Sequence, residues 1–173
     1  LGTVELHEAE LAAREAVHDA EVAGELQRAL ISAERRTTPR ADGAGRLIPA
    51  RRVGGDLFDL IEVDGGLFAV LADVSGKGAP ASLLTAAVLS SIHHHAPSAG
   101  GRPGRLLAAA GRALEPMLER TGRLVTLAIA GVDWRGGTLR IASAGHHPVL
   151  VSTDGEPEAV RPTSPPLGVV LPG

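Results

Sequence analysis

The chain has 173 residues, which is enough for one domain with a sizeable hydrophobic core. Its net charge of −3 argues against a broad basic surface for nucleic acid, and the absence of cysteine excludes disulfides, thiolate metal sites and cysteine nucleophiles. No apolar run reaches the roughly 18 residues that a membrane-spanning helix needs, and no signal-peptide pattern opens the chain. The composition therefore predicts a soluble, cytoplasmic protein that does not insert into a membrane.

Residues 4–33 are predicted to form a helix, because they are rich in Glu, Ala, Leu and Arg, lack proline and carry a broken apolar stripe. Two interpretations stay open: the helix packs on its own domain, or it pairs with a second copy in a homodimer and carries a signal from an upstream sensor domain. We divide the chain into this linker or regulatory helix, residues 1–33, and a second unit, residues 34–173. We also expect the sequence to be part of a longer protein, because its first residues resemble the middle of a helix.

A β-hairpin is the clearest local prediction in the second unit. Residues 34–45 are expected to form a polar loop, and a strand is expected near residues 47–52. The apolar runs 57–63 and 66–72 then flank Asp64-Gly65, a dipeptide that strongly favours a two-residue hairpin turn.

Two helices are predicted after the hairpin. The first covers residues 80–95 and is apolar nearly all round, with Pro80 in its first turn, where the missing N–H costs little. A loop at 97–104 leads to a second helix at 105–120, in which Pro116 predicts a kink or a break.

Three more strands are predicted at residues 123–132, 138–144 and 148–152, and the proline-rich tail from 161 to 173 has no regular pattern. Strands in hairpins followed by paired helices indicate an α+β fold with antiparallel sheets.

Two aspartates bracket the predicted hairpin. If Asp64-Gly65 is the turn, counting outward pairs Asp56 with Asp73. Like charges directly opposite each other on a sheet repel, so a cation is expected between them. Carboxylate oxygens are the ligands that hard divalent metals prefer. The alternative turn, Gly65-Gly66, would place Asp56 opposite Ser75 instead.

Glycines flank both aspartates and allow close approach of the backbone to an ion or a phosphate. Gly55 precedes Asp56, and Gly76-Lys77-Gly78 leads into a helix N-terminus, which favours anions. Lys77 is the only lysine in the chain, beside 16 arginines. We predict phosphate or substrate contacts for Gly55, Gly76 and Lys77, although a solvated loop lysine is the other interpretation. The phosphate-binding spacing G-x-x-x-x-G-K-[ST] is absent.

The remaining acids and histidines are assigned structural roles. Strand alternation places Asp59 on the face opposite to Asp56, where it is expected to face solvent or to assist the site from outside. The run His93-His94-His95 is explained by favourable placement at a helix C-terminus. His146 and His147 are interpreted as hydrogen-bonded structural residues rather than ligands.

Several motifs together resemble a known family. Val53-Gly54-Gly55-Asp56-Leu57-Phe58-Asp59 and Ala72-Asp73-Val74-Ser75-Gly76-Lys77-Gly78 are similar to the paired signature of bacterial SpoIIE-like (RsbU-like) serine phosphatases, members of the metal-dependent PPM protein phosphatase superfamily. Later landmarks follow in the same order: Val125-Thr126-Leu127, Ala144-Gly145-His146-His147-Pro148 and Pro166-Leu167-Gly168. With Leu26-Gln27-Arg28-Ala29-Leu30 as the entry helix, the resemblance runs from about residue 25 to 173.

The resemblance implies a PPM-type α-β-β-α sandwich of two antiparallel sheets flanked by helices, with two Mn²⁺ or Mg²⁺ ions at one edge. Asp56 and Asp73 match two acidic metal ligands of the family, with a catalytic role, and the backbone carbonyl of Val74 matches its carbonyl ligand. The implied activity is hydrolysis of phosphoserine in a protein by water that the metal activates.

The implied substrate is a phosphorylated STAS-type anti-anti-sigma factor in bacterial signalling, and the N-terminal helix resembles family segments that dimerise and relay signals from sensor domains. The family has further acidic ligands after its Pro-Leu-Gly segment, and this sequence ends at Gly173, before them. Thr153-Asp154-Gly155 lies upstream of that segment and is not their counterpart. The resemblance therefore implies a C-terminally truncated domain. The alternative is a weak or inactive module that binds a STAS or other regulatory partner without turnover.

Overall fold

The computed structural model describes residues 34–48 and 54–169, together with scattered positions between 7 and 29. Those scattered positions are helical, in agreement with the predicted N-terminal helix. Leu11, Val17 and Val22 are each close to half exposed. The rest of the predicted helix 4–33 lies outside the described residues, so its role as a linker stays a prediction.

The segment predicted as a polar loop contains a small antiparallel ribbon instead. Strand β1 (Arg35–Thr37) pairs with β2 (Asp42–Ala44). An ion pair between Arg35 and Asp42 joins the two strands, and the Thr37 hydroxyl donates to the Asp42 carboxylate over 2.9 Å. The loop prediction was wrong because these contacts between side chains stabilise two strands whose residues have a low intrinsic preference for β-structure.

The strand expected near residues 47–52 is only partly covered. Leu47 and Ile48 are described and do not belong to a strand, whereas residues 49–53 lie outside the described residues.

The central sheet has four antiparallel strands in the order β3-β4-β5-β6: β3 (Asp56–Val63), β4 (Gly66–Val74), β5 (Val125–Asp133) and β6 (Thr138–Ala144). The β3-β4 turn is Asp64-Gly65, with Gly65 at a φ of 79°, as this turn chemistry requires. Val63 pairs with Gly66 and Asp56 pairs with Asp73. The expected register is confirmed, and the alternative with Asp56 opposite Ser75 is wrong.

A second ribbon follows the central sheet. Strand β7 (Val149–Val151) pairs with β8 (Glu158–Val160), a strand that the sequence did not indicate. The tail beyond it is tied back to the sheet, because Leu167 exchanges backbone hydrogen bonds with Val125 and Ser164 bridges to Ala144.

Two helices connect β4 to β5. Helix α1 (Ala79–His95) and helix α2 (Pro103–Thr121) are joined by a 3-10 turn at Pro97–Ala99. The helix α2 continues through Pro116 to Thr121, so the predicted break does not occur. Pro116 is exposed, where the carbonyl that loses its partner can be satisfied by water. No helix among the described residues is long and apolar enough to span a bilayer.

The hydrophobic core lies between the two helices and one face of the central sheet. This face carries alternate residues of each strand, because side chains in a strand point to opposite sides in turn. The largest fully buried members are Phe68, Val70, Val74, Val88, Leu89, Ile92, Leu106, Leu118, Val125, Leu127 and Ile129. The predicted α+β architecture with antiparallel sheets is confirmed.

The opposite face of the sheet is covered in part by the β1-β2 ribbon. Gly43 lies against the side chain of Leu60, and a Cβ on Gly45 would collide with the ring of Phe58. Further along this face Leu71 is 51% exposed. The ribbon therefore covers the β3 side of this face.

Asp59 is fully buried, so the prediction that it faces solvent is wrong, whereas the alternative that it assists the site from outside stays a prediction. Its side chain is 0% exposed and accepts a hydrogen bond over 2.5 Å from Nε2 of His93, which is 38% exposed. The backbone N–H of Leu60 donates to the other carboxylate oxygen over 2.8 Å. Alternation correctly gave the face of Asp59, but that face lies under α1 rather than in water. His93 therefore has a carboxylate partner in addition to its place at the helix C-terminus.

Loss of the His93 side chain should destabilise the fold. His93→Ala removes a partner of a buried carboxylate, and we expect the free energy of unfolding to fall by about 2–3 kcal/mol. His94→Ala is the matched control, because His94 is the next residue of α1 and is exposed. It should change stability by no more than about 0.5 kcal/mol. Urea unfolding of both variants tests this, and equal losses would contradict a special role for the Asp59–His93 pair.

Candidate metal and phosphate site

Asp56 and Asp73 meet at the end of the β3-β4 hairpin that is furthest from its turn, and both side chains are exposed. The pKa of Asp73 is raised above its ordinary value, first by partial burial and then by the negative charge of Asp56, which is also hydrogen-bonded to it. The charges of His146 and His147 lower the pKa of Asp73 and offset part of this effect. The hairpin therefore holds two carboxylates in a repulsive arrangement that a cation would relieve.

Gly55 brings the Val74 carbonyl close to these carboxylates. A Cβ on Gly55 would collide with the Val74 carbonyl oxygen and would lie 3.3 Å from Oδ1 of Asp73. The N–H of Val74 donates to the carbonyl of Gly55 over 3.0 Å. Only a residue without a side chain permits this approach. The structure thus gives Gly55 a packing role, and its predicted phosphate contact stays a prediction.

Helix α1 supports the same loop from beneath. The buried hydroxyl of Thr85 bonds the Ala81 carbonyl over 2.9 Å and lies 3.5 and 3.4 Å from the carbonyl oxygens of Gly54 and Gly55. The start of α1 is therefore in contact with the turn that precedes Asp56.

The loop after Val74 is fixed by Arg123, a residue that the sequence analysis did not single out. Arg123 Nη1 donates to the Ser75 carbonyl over 2.6 Å, and a Cβ on Gly76, whose φ is 106°, would collide with the same nitrogen. The Ser75 N–H donates to the Leu124 carbonyl and the Leu124 N–H to Ser75 Oγ, each over 2.8 Å. Lys77 follows on the exposed part of this loop. No spacing in the sequence links Arg123 to this loop, because the contact depends on where α2 ends.

His146 also lies close to the acid pair. Its Nδ1 is 2.8 Å from the hydroxyl of Thr126, and Thr126 is directly opposite Asp73 across β4 and β5. The pKa of His146 is lowered, first by burial and then by the charge of His147, although the negative charges of Asp73 and Asp56 raise it. The predicted hydrogen-bonded histidine is found, but the sequence analysis missed its closeness to the two aspartates.

The donor set at the site fits a hard divalent cation. Two carboxylates and a backbone carbonyl supply oxygen ligands, the type that Mg²⁺ and Mn²⁺ prefer. Within the described ranges, however, no three His, Cys, Asp or Glu side chains lie close enough together to hold a metal ion. The described residues therefore provide a pair of acidic ligands rather than a full set.

Comparison with known proteins agrees with this fold. The family model described as Stage II sporulation protein E (SpoIIE) matches residues 63–172, a range that includes Asp73 and His146 and begins after Asp56. The phosphoserine phosphatase RsbU of Bacillus subtilis (strain 168) is 25% identical over 128 residues, which is 74% of this chain and 38% of the relative.

Two solved structures have a similar fold. The SiaA-PP2C domain of Pseudomonas aeruginosa superposes with a TM-score of 0.71 at 22% identity, covering 91% of this chain and 64% of that one. The RsbU and RsbW domains of a Mycobacterium tuberculosis protein give a TM-score of 0.58 at 25% identity, covering 70% and 35%.

The fold is therefore that of the SiaA-PP2C domain. Since the family model covers more than half of the chain, the protein belongs to the SpoIIE family. The chain spans 38% of the length of the curated relative.

Removing one charge of the acid pair should stabilise the metal-free protein. Because the pKa of Asp73 is raised in the folded state, the folded protein binds a proton more readily than the unfolded chain. The free energy of unfolding therefore falls as the pH rises from the ordinary pKa of an aspartate through the raised pKa of Asp73. Asp73→Asn should recover about 0.5 kcal/mol at pH 7. Urea unfolding in a chelator, with Asp154→Asn in an exposed turn as the control, measures the gain. A loss of stability in Asp73→Asn would contradict the repulsion.

The two neighbouring glycines should respond differently to alanine. Gly55→Ala forces a methyl group against the backbone carbonyl of Val74, which cannot move aside as a flexible side chain could. We therefore expect the free energy of unfolding to fall by about 1–3 kcal/mol. A Cβ on Gly54 meets its nearest atom at 3.8 Å, so Gly54→Ala should be nearly neutral. Thermal unfolding of the metal-free variants decides this, and a neutral Gly55→Ala would contradict the close approach.

Proposed function

We propose that this chain is the catalytic part of a metal-dependent protein serine phosphatase that removes phosphate from a phosphoserine protein in bacterial signalling. The observation that supports this most directly is the opposed pair Asp56 and Asp73 in a chain of the SpoIIE family. Two like charges directly opposite each other destabilise a sheet unless a cation lies between them.

Asp56, Asp73 and the Val74 carbonyl are the residues that would hold Mn²⁺ or Mg²⁺, with two ions expected in a complete domain. When bound, these ions supply positive charge for the phosphate and lower the pKa of water for hydrolysis.

The chain itself supplies the surroundings of the phosphate. The Ser75–Gly78 loop leads into α1, whose N-terminal dipole favours anions, and Lys77 adds a positive charge there. Gly55 keeps a side chain out of the space between the two acid-bearing segments, and Gly76 leaves room for the guanidinium of Arg123. These features support the predicted roles of Gly55, Gly76 and Lys77 in receiving the phosphate.

The proposed substrate is a phosphorylated STAS-type anti-anti-sigma factor, met in the cytoplasm. Support for the substrate class comes from the phosphoserine phosphatase RsbU among the relatives. Residues 1–33 are proposed to act as a linker helix that forms a homodimer and relays signals from a sensor domain, with the phosphatase domain in residues 34–173.

A second candidate is a module that captures the regulatory partner without turnover. It is favoured by one observation, namely that the described residues offer two acidic ligands and no cluster of three. A site with fewer carboxylates binds its metal more weakly, which would reduce hydrolysis while leaving the protein surface available for binding.

Phosphate release from a phospho-STAS protein in the presence of Mn²⁺ separates the two candidates. The enzyme should release phosphate, and Asp73→Asn should reduce the rate by about 100-fold or more, because a group that stabilises the transition-state charge is lost. Asp154→Asn, in an exposed turn, should retain the wild-type rate.

Binding of the phosphoprotein without release of phosphate would support the capture module instead. Release that is equal in wild type and Asp73→Asn would contradict the assignment of this site, since hydrolysis would then have another origin.

A further inference from the structure

The His146 ring has one nitrogen engaged and one available. Nδ1 is hydrogen-bonded to the Thr126 hydroxyl over 2.8 Å. In the described part of the chain, Nε2 has no hydrogen-bond partner, although the residue is partly buried. Nε2 can therefore form a hydrogen bond with a ligand that enters the site beside the acid pair.

The turn that carries His146 is held firmly by the C-terminal tail. Gly145 has a φ of 61°, and its N–H donates to the Ser164 carbonyl over 2.8 Å. A Cβ on Gly145 would collide with Pro166, so the tail packs directly on this turn. Leu167 is bonded in turn to Val125, the residue before Thr126. The imidazole and its hydroxyl partner are thus placed by the same packing.

The contact with Thr126 is compatible with a proton on Nε2, because a hydroxyl can donate to an unprotonated Nδ1. Burial and the charge of His147 lower the pKa of His146, so the ring is neutral near pH 7 and carries one N–H. When the Thr126 hydroxyl donates to Nδ1, the proton of the ring resides on Nε2. Nε2–H is then a neutral donor near two carboxylates whose own charges repel an anion.

We propose that His146 donates a hydrogen bond from Nε2 to a phosphate oxygen of the substrate at the Asp56–Asp73 site, and that Thr126 is the positioning residue that holds the imidazole in place through Nδ1. The inference rests on the proposed function, because that function brings the phosphate to the site. A role as a third metal ligand is not favoured, since no three such side chains cluster within the described ranges.

A neutral donor suits this position. It adds no charge to the metal site, yet it satisfies one oxygen of a dianionic phosphate, and hydrogen bonds to charged groups are stronger than those between neutral groups. The substrate group recognised is therefore the phosphate itself, and any phosphoserine protein that reaches the site would use the same contact.

Steady-state kinetics with Mn²⁺ and a phosphoserine peptide test the contact. His146→Gln should lower kcat/KM by about 10–100-fold, the effect of losing a hydrogen bond to a charged group. The exposed neighbour His147→Gln is the matched control and should stay within about 3-fold of wild type. Thr126→Val should reproduce much of the His146→Gln loss, and Thr126→Ser, which keeps the hydroxyl, should restore activity.

Imidazole ¹⁵N NMR gives a second measurement that does not depend on turnover. In the wild-type chain with Mg²⁺, titration with inorganic phosphate should shift the Nε2 resonance of His146 and leave that of His147 unchanged. Thr126→Val should weaken this phosphate-dependent shift, because the imidazole is then no longer held through Nδ1.

The outcomes separate this inference from the proposed function. If wild type is active and Asp73→Asn is not, but His146→Gln behaves as His147→Gln does, the His146 inference is overturned and the phosphatase stands. If no variant turns over substrate, the NMR titration decides: a phosphate-dependent shift of His146 supports the contact, and no shift overturns it.

Discussion

Electrostatic repulsion between Asp56 and Asp73 is the constraint on which the site depends. A two-residue turn at Asp64-Gly65 leaves one register for the β3-β4 hairpin, and that register places the two carboxylates opposite each other. Nothing in the apolar part of the hairpin requires acids there, and the pKa of Asp73 is raised first by partial burial and then by the negative charge of Asp56. A divalent cation between the two carboxylates would favour the charged form of both groups and would relieve their repulsion.

The residues around Asp56 and Asp73 hold the two carboxylates in place without filling the space between them with side chains. Gly55 allows the Val74 carbonyl to approach the acid pair, and Thr85 of α1 contacts the loop that carries Gly55. At the other end of α1, His93 binds the buried Asp59 of β3, so the helix is attached to the sheet at both ends. The loop before Asp56 and the core residue Asp59 therefore contact the same helix. A shift in the position of α1 would displace Asp56 as well.

Local sequence rules predicted the elements whose geometry is set locally. The turn dipeptide determined the hairpin register, and a nearly continuous apolar pattern located helix α1. The burial of Asp59 could not be predicted, because alternation assigns a face but does not say what covers it. The β1-β2 ribbon was missed since its pairing depends on packing of Gly43 against Leu60 of a later strand. His146 lies near the two aspartates because its partner Thr126 pairs with Asp73 in the register of β5 against β4. The spacing of motifs along the sequence does not indicate that register.

Calorimetric titration of the chain with Mn²⁺ tests the central claim most directly. The account predicts saturable uptake with a dissociation constant of about 1 mM or tighter, and loss of that uptake in Asp73→Asn. It would be contradicted by a folded wild-type chain that takes up no Mn²⁺ at about 10 mM, or by equal uptake in Asp73→Asn, because the opposed carboxylates would then have no cation to hold.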